Sequence, residues 1–478
     1  MRLEATARNL TPGRVGLLVG LLAVPLGLAS VMLSPLAAAA LLVAGISAVF
    51  VVLYPRAETT LLLLFLVMQD PLQILVGGVS PAALYIKRAD EFFILAVAAG
   101  CLCLPAVRHC FVQRRLYLPM ALCYAGLLAS TLLAPRPFVT VAIDAVLFSK
   151  PLLMLAIGFS LATASASLER LLPRVLALLT SVLLTSLVFI WMPELQSQYL
   201  GQVSRVGERV GMQVAQGIFI NPGTYAFFAV ATFCIAYAAY LTYSRTSYLV
   251  YAGIAAACVV ITWRRKSILA VALVFAVSLL AARARGSRQR AWLLSGVALL
   301  LVVTILAPYL QALTSKTIEE YGSSDPYATS RSALYYTSMR IARDHFPLGS
   351  GFASFGSHAS RLDYSPVYRE YGLSGLYGLS PMSPFHIADT FWPMVLGQGG
   401  VLVLLAYLAF LFLLGNTALH SVLAAPASRA RAYLALVSLL LLVGAFVESM
   451  ASQLYNSSLQ AALLFVPVGI YWRDRFDS

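Results

Sequence analysis

The sequence predicts an all-α polytopic membrane protein of about fourteen transmembrane helices (roughly 12–14) with a helical and irregular lobe on its outer face. Three observations predict it. Hydrophobic residues make up 60% of the 478 and charged residues only 11%, whereas soluble domains carry roughly 25% charged residues. Apolar stretches recur at close to the ~20 residues needed to cross a bilayer core as helix. The basic residues also sort by side, as shown below.

The first three spans are read at Val15 to Leu33, Leu36 to Tyr54 and Thr59 to Val76. Phe92 to Val107, Leu116 to Ala134, Ala145 to Thr163 and Leu171 to Met192 follow, then Pro222 to Tyr243. The ninth and tenth, Ser247 to Thr262 and Ser267 to Ala282, are short and separated only by Trp263 to Lys266. Ala291 to Leu310, Pro393 to Leu414, Tyr433 to Ala451 and Leu459 to Trp472 complete the set. The organisation is therefore helices 1–11 over residues 1–310, a lobe over 311–391, and three further helices over 392–478. Arg2, Arg8 and Arg14 before an apolar run resemble a cleavable signal, but the run exceeds a usual signal core and favours an uncleaved anchor.

With the N-terminus inside, 18 of the 33 basic residues fall in inner loops against five acids, so almost all of the formal +14 lies there. This places both termini on the cytoplasmic side, the chain in an inner membrane and the candidate site on the outer face. The charge thus reports topology, and no nucleic-acid partner is expected. All six cysteines fall in spans or on the inner side, which excludes an outer disulfide framework. Cys101 and Cys103 share a helix but stand about 200° apart, so no metal site is expected from them.

Two outer segments are long, Pro193 to Asn221 and Gln311 to Phe391. The second is too polar for lipid and too rich in tyrosine and phenylalanine for disorder, so it reads as a folded lobe. Ser330 suits the N-cap of a helix over Arg331 to Asp344, with Leu334, Thr337 and Ile341 on one face. That helix stops before Pro347, and Leu348-Gly349-Ser350-Gly351 then turns tightly. Tyr368 to Pro384 reads as loop. The chain shows no fixed repeat and no nucleotide-binding phosphate loop.

Arg264, Arg265 and Lys266 put three cations at the outer surface, against the positive-inside bias, where an anionic partner would offset their cost; lipid phosphates at a snorkelling cap are the bland alternative. Arg331, Arg340 and Arg343 could face them across a cleft, an arrangement suited to a diphosphate because guanidinium forks bind its oxygens bidentately. A solvated face paired with Asp344 is the alternative. Arg205 and Arg209 form a third, weaker set. His386, where the lobe re-enters the membrane, could act as a general base or serve as a structural hydrogen-bonder. Asp389, three residues on, could orient that imidazole or be the base itself. Glu448 and Asn456, with Gln453 and Tyr455, sit at the outer end of the thirteenth span and suit either sugar recognition or helix packing.

These residues resemble the O-antigen polymerase and O-antigen ligase superfamily of lipid-linked glycan transferases. The likeness rests on Ser330-Arg331 about fifteen residues before Asp344-His345-Phe346-Pro347-Leu348-Gly349-Ser350-Gly351-Phe352, and on the ten residues between Arg340 and Gly351. His386 to Val401, with its ending Gln398-Gly399-Gly400-Val401, is similar to the family's histidine block and its paired glycines. Arg264 to Leu269 and Gly217 to Tyr225 resemble two shorter motifs. Ile387, Gln398 and Gly223 depart from the family's asparagine, acid and second asparagine, and Asp389 is closer to the exopolysaccharide polymerases than to the ligases.

The resemblance implies an inverting, metal-independent transfer from an undecaprenyl-diphosphate-linked oligosaccharide to a sugar hydroxyl, with no cofactor. The acceptor expected first is another lipid-linked repeat unit; lipid A core, as in a ligase, is the alternative. Membrane lipid and chain-length-regulator or export proteins are further expected partners. A transporter or glycan flippase is the rival class, against which stand the large lobe and the lack of paired interrupted helices.

Overall fold

The structure, a computed structural model, describes residues 55–76, 81–105, 107–109, 116–161, 165–200, 208–209, 212–284, 325–424 and 428–474. The first, second and eleventh predicted spans lie outside these residues. Each of the other eleven overlaps a helix, with ends that differ by up to eleven residues. Among the described residues five helices are long and apolar enough to cross a membrane: Phe138–Ser160, Leu168–Trp191, Pro222–Tyr243, Trp392–Leu423 and Arg429–Ser449.

In chain order the helices before the lobe are α1 (Pro55–Leu75), α2 (Pro81–Cys103), α3 (Tyr117–Leu133), α4 (Phe138–Ser160), α5 (Ser165–Trp191), α6 (Pro193–Leu200), α7 (Pro222–Tyr243), α8 (Thr246–Val260) and α9 (Arg265–Ala284). Between α6 and α7, β1 (Glu208–Arg209) pairs antiparallel with β2 (Met212–Gln213), the one ribbon among the described residues. The lobe carries α10 (Ser330–Asp344), α11 (His358–Leu362), α12 (Val367–Glu370) and a 3-10 turn at Leu373–Gly375. The chain closes with α13 (Trp392–Leu423), α14 (Arg429–Ser449), a 3-10 turn at Leu454–Asn456 and α15 (Ser458–Asp474).

Helix α7 begins where the sequence provides both a cap and a stop. The Asn221 side chain accepts from the Gly223 N–H at 2.7 Å and Pro222 occupies the first turn. Its apolar residues run all round the helix, which is why it is buried on every side, packed against α8, α14, α9 and α5. Elsewhere small residues let backbones touch. At the α4–α15 crossing a Cβ on Gly158 would stand 2.4 Å from the Val466 carbonyl oxygen, and one on Gly469 2.6 Å from that of Leu155.

Loops that the sequence assigned to the outer side gather at one end of this bundle. There the Ile220 N–H donates to Asp70 Oδ2 at 3.0 Å, Tyr335 OH to the Met450 carbonyl at 2.7 Å, and Arg136 to Ser365 Oγ. At the opposite end Arg431 Nε meets Asp474 Oδ2 at 3.2 Å and Arg473 donates to the Phe159 carbonyl at 2.7 Å.

The lobe has its own core, in which Ala333, Leu334 and Ile341 of α10 pack with Phe355, Tyr368, Leu373, Leu379 and Ile387. Helix α10 starts one residue earlier than the sequence suggested. Thr329 is its N-cap, because Thr329 and Ser332 satisfy each other's backbone N–H in a capping box. Likewise Tyr368–Pro384 is not all loop: α12 and the 3-10 turn occupy its first part.

The Gly349–Ala353 segment does more than turn. Its N–H groups donate to Ser130 Oγ of α3 from Gly349 at 3.2 Å, to Thr131 Oγ1 of α3 from Phe352 at 2.8 Å, and to Asp144 Oδ2 of α4 from Ala353 at 2.7 Å. Ser350 and Gly351 donate to the carbonyls of Gly397 and Gln398 on α13 at 2.9 and 2.8 Å. Gln398 Nε2 reaches the same Asp144 oxygen at 2.8 Å. Helix α13 bends at Gly400, whose φ of 71° and whose closeness to the Leu348 carbonyl (2.1 Å from a Cβ placed there) admit only glycine. The motif thus locks the lobe to three helices.

Candidate functional site

At the edge of this lobe, α10 and the 386–391 corner meet the turn between α8 and α9. Arg331, in the first turn of α10, donates through Nη2 to Asp389 Oδ2 at 2.9 Å. The same carboxylate oxygen lies 3.5 Å from His386 Nδ1. Burial pushes the Asp389 carboxyl up, but the hydrogen bond from His386 and the Arg331 charge outweigh it and hold the group below the usual carboxylate range. The Asp389 carboxylate thus stands between the Arg331 guanidinium and the Nδ1 side of the His386 imidazole.

The imidazole is itself fixed from behind. The His386 N–H donates to the Gly378 carbonyl at 2.8 Å, and a Cβ on Gly378, where φ is 78°, would stand 2.1 Å from His386 Cδ2. Ser330 Oγ ties the neck of this loop by donating to the Tyr377 carbonyl at 2.7 Å. The exposed ring of Tyr377 stands beside the histidine, 6.0 Å away between centroids.

The turn at 261–264 holds Trp263 at a φ of 51°, rare for a bulky residue. It delivers Arg264 over Gly223, so that a Cβ there would stand 3.3 Å from the guanidinium nitrogens, beside the N-terminus of α7. Lys266 Nζ sits 2.9 Å from Glu448 Oε2 and donates to the carbonyls of Glu448 and Ala451 at 3.1 and 3.0 Å, capping the end of α14. Arg264 and Arg331 are both within electrostatic reach of Lys266. One oxygen of the buried Glu448, Oε1, has no hydrogen-bond partner among the described residues. Asn456 Nδ2 lies 3.4 Å from Met394 Sδ, and Asn456 Oδ1 and Thr390 Oγ1 are likewise unsatisfied there.

Of the residues singled out from sequence, the structure thus groups Arg264, Lys266, Arg331, His386, Asp389 and Glu448, with Arg265 half-buried at the start of α9. It sends Arg340 elsewhere, to Tyr327 OH at 3.0 Å and over the Tyr371 ring at 5.2 Å. Asp344 accepts instead from Tyr371 OH at 2.9 Å. Arg343 lies beside an apolar groove of Met339, Phe346, Leu396 and Val401. Arg205 lies outside the described residues, and only the backbone of Arg209, in β1, is described.

Sequence reasoning passed over a second charged group. Lys150, buried inside α4, donates to Ser458 Oγ at 2.9 Å; that hydroxyl donates to the buried Asp90, and Glu91 stands 3.8 Å from the lysine. The signal was present, since a lysine inside an apolar span is a functional candidate by default. Among the described residues no group of three or more His, Cys, Asp and Glu is placed to hold a metal ion. No protein-family model matches the chain, and no curated protein is significantly similar to it.

Proposed function

We propose that this chain is a polysaccharide polymerase of the bacterial inner membrane that moves a glycan from undecaprenyl diphosphate to a hydroxyl of a second lipid-linked repeat unit. The Arg331–Asp389–His386 corner beside Arg264 and Lys266 carries this reading: an oriented imidazole and a set of fixed cations stand at the end of the bundle where the sequence places the periplasm.

In this mechanism His386 Nε2 takes the proton of the acceptor hydroxyl as its oxygen attacks the anomeric carbon from the face opposite the leaving group. The bond from that carbon to the diphosphate oxygen breaks, and undecaprenyl diphosphate departs with the electron pair. Arg264 and Arg331 stabilise the charge that develops on it, in a field to which Lys266 adds. Asp389 stays ionised, steadies the imidazolium and keeps Nδ1–H pointed inward. Glu448 and Asn456 offer their unsatisfied oxygens to sugar hydroxyls.

The test is purified protein in detergent or liposomes, given lipid-linked repeat units without and with lipid A core. Glycan ladders formed without core are the expected result. Transfer to core alone would make the chain a ligase, and no transfer by well-folded protein would remove the enzymatic reading in favour of a transporter.

A further inference from the structure

Lys150 forms the floor of a second basic cleft. Helix α2 packs on α4, and the short lobe helix α11 packs on α4 as well. This brings together Lys87 and Arg88 of α2, Lys150 of α4, and His358 and Arg361 of α11. Arg361, Lys87, Arg88 and Lys150 all act electrostatically on His358, which burial and these charges push down to about 4. Lys87 is exposed and Arg88, Arg361 and His358 are partly so, whereas Lys150 is 3% exposed, so the set runs from an accessible surface to one buried cation.

The facing acids do not saturate these cations. Glu91 stands 3.8 Å from Lys150 and 3.9 Å from Arg88, beyond hydrogen-bond distance of both. Asp90 accepts from Ser458 with one oxygen, while its other, Oδ1, is buried without a partner. Asp70 accepts from the Ile220 N–H, and it and Asp90 act electrostatically on Lys87, so three carboxylates face four cations. Among the described residues neither Lys87 nor Arg361 donates a side-chain hydrogen bond. Like charges held this close repel, and a bound anion would relieve the cost.

The cleft is joined to the catalytic corner. Gln453 donates to the carbonyl of Gly356, two residues before His358, and lies 3.4 Å from that of Thr390, one residue after Asp389. From Glu448 at the corner to Ser458 in the cleft, the chain between α14 and α15 is a polar strip with Gln453 and Asn456 along it.

Building on the polymerase reading, we propose that the Lys87–Arg88–Lys150–Arg361 cleft seats the diphosphate of the acceptor lipid, so that donor and acceptor diphosphates occupy two separate cation sets and the acceptor glycan lies along the 448–458 strip. A transferase whose acceptor carries no diphosphate has no use for the second set.

Two measurements test this on the full-length protein. First, binding of undecaprenyl diphosphate to detergent-solubilised protein should reach two per chain, falling to one in the Lys87→Ala/Arg361→Ala variant and to one in Arg331→Ala, each variant being checked for an unchanged melting temperature. Second, transfer is compared between a lipid-diphosphate acceptor and the same oligosaccharide as a methyl glycoside. The Lys87→Ala/Arg361→Ala variant should raise KM for the former at least about tenfold and collapse the wild-type preference between them. One site per chain, unaffected by Lys87 and Arg361, overturns the inference, as does an unaltered preference. Two sites in a wild-type protein that transfers nothing would uphold the cleft and sink the polymerase reading instead.

Discussion

The Arg331–Asp389–His386 corner and the Lys150 cluster differ in how their charges are matched. At the corner each full ion pair closes to hydrogen-bond length, 2.9 Å for Lys266–Glu448 and 2.9 Å for Arg331–Asp389. In the cleft the pairs stay open at 3.8 and 3.9 Å, and the contact from Lys150 to Asp90 is relayed through Ser458. Closed pairs fix geometry, as the transfer proposed for this corner requires. Open ones leave donors and field for something to bind. One end of a single bundle therefore holds both a rigid and a receptive charged region.

Breaking the rigid region should have the largest effect. His386→Ala is expected to lower transfer by about 10²–10⁴-fold, the usual worth of a general base. Asp389→Asn should lose less, since the imidazole remains; steady-state rates on a defined lipid-linked substrate measure both, and equal losses would make Asp389 the base. Next comes the closed pair. Lys266→Met leaves Glu448, at 1% exposure, as an uncompensated buried charge, costing about 3–5 kcal/mol in stability. The Lys266→Met/Glu448→Leu double variant should regain much of that in denaturation experiments; if it melts like the single variant, the pair has no specific coupling.

The receptive region should show itself through pH. His358 is held down to about 4 against its ordinary 6.5, so the unfolded chain binds the extra proton first. Stability from the neutral imidazole is full above the ordinary value and falls as pH drops toward the folded one. Melting should therefore decline from about pH 7.5 to pH 5, and His358→Gln should flatten that slope. The smallest effect belongs to Arg340→Ala. Its guanidinium is exposed and engages Tyr327, Tyr371 and the field of Asp344 within the lobe, so transfer and melting should both match wild type, and a large loss of transfer would return Arg340 to the donor site.

How far the sequence foretold these regions depended on the range of the interaction. Helix α7 is bounded at Pro222 and Tyr243 as read, because its cap, its proline and its apolar run are all local. The fourth span was read from Phe92, where the apolar run begins, yet α2 starts at Pro81 and carries Lys87, Arg88, Asp90 and Glu91 as helix. His386 and Asp389 were legible as neighbours on one short segment. Their link to Arg331, 58 residues away, was not, nor was the link of Lys150 to Ser458 across 308. Arg340 misled for the same reason, since helical spacing gives a face but not what the face meets.

The glycine crossing of α4 and α15 reaches further than its own packing. Gly158 and Gly469 let the two backbones touch, and with no side chain to act as a spacer they set the relative height of the helices. Eight residues before Gly158, or about 12 Å along the axis, Lys150 meets Ser458, the first residue of α15. A methyl group added at either glycine would slide or tilt one helix against the other and lift Ser458 off the lysine. An uncharged contact deep in the bundle thus acts as the vernier of a charged cluster at its end, and variation at these two glycines would retune the proposed anion site without altering any of its charged residues.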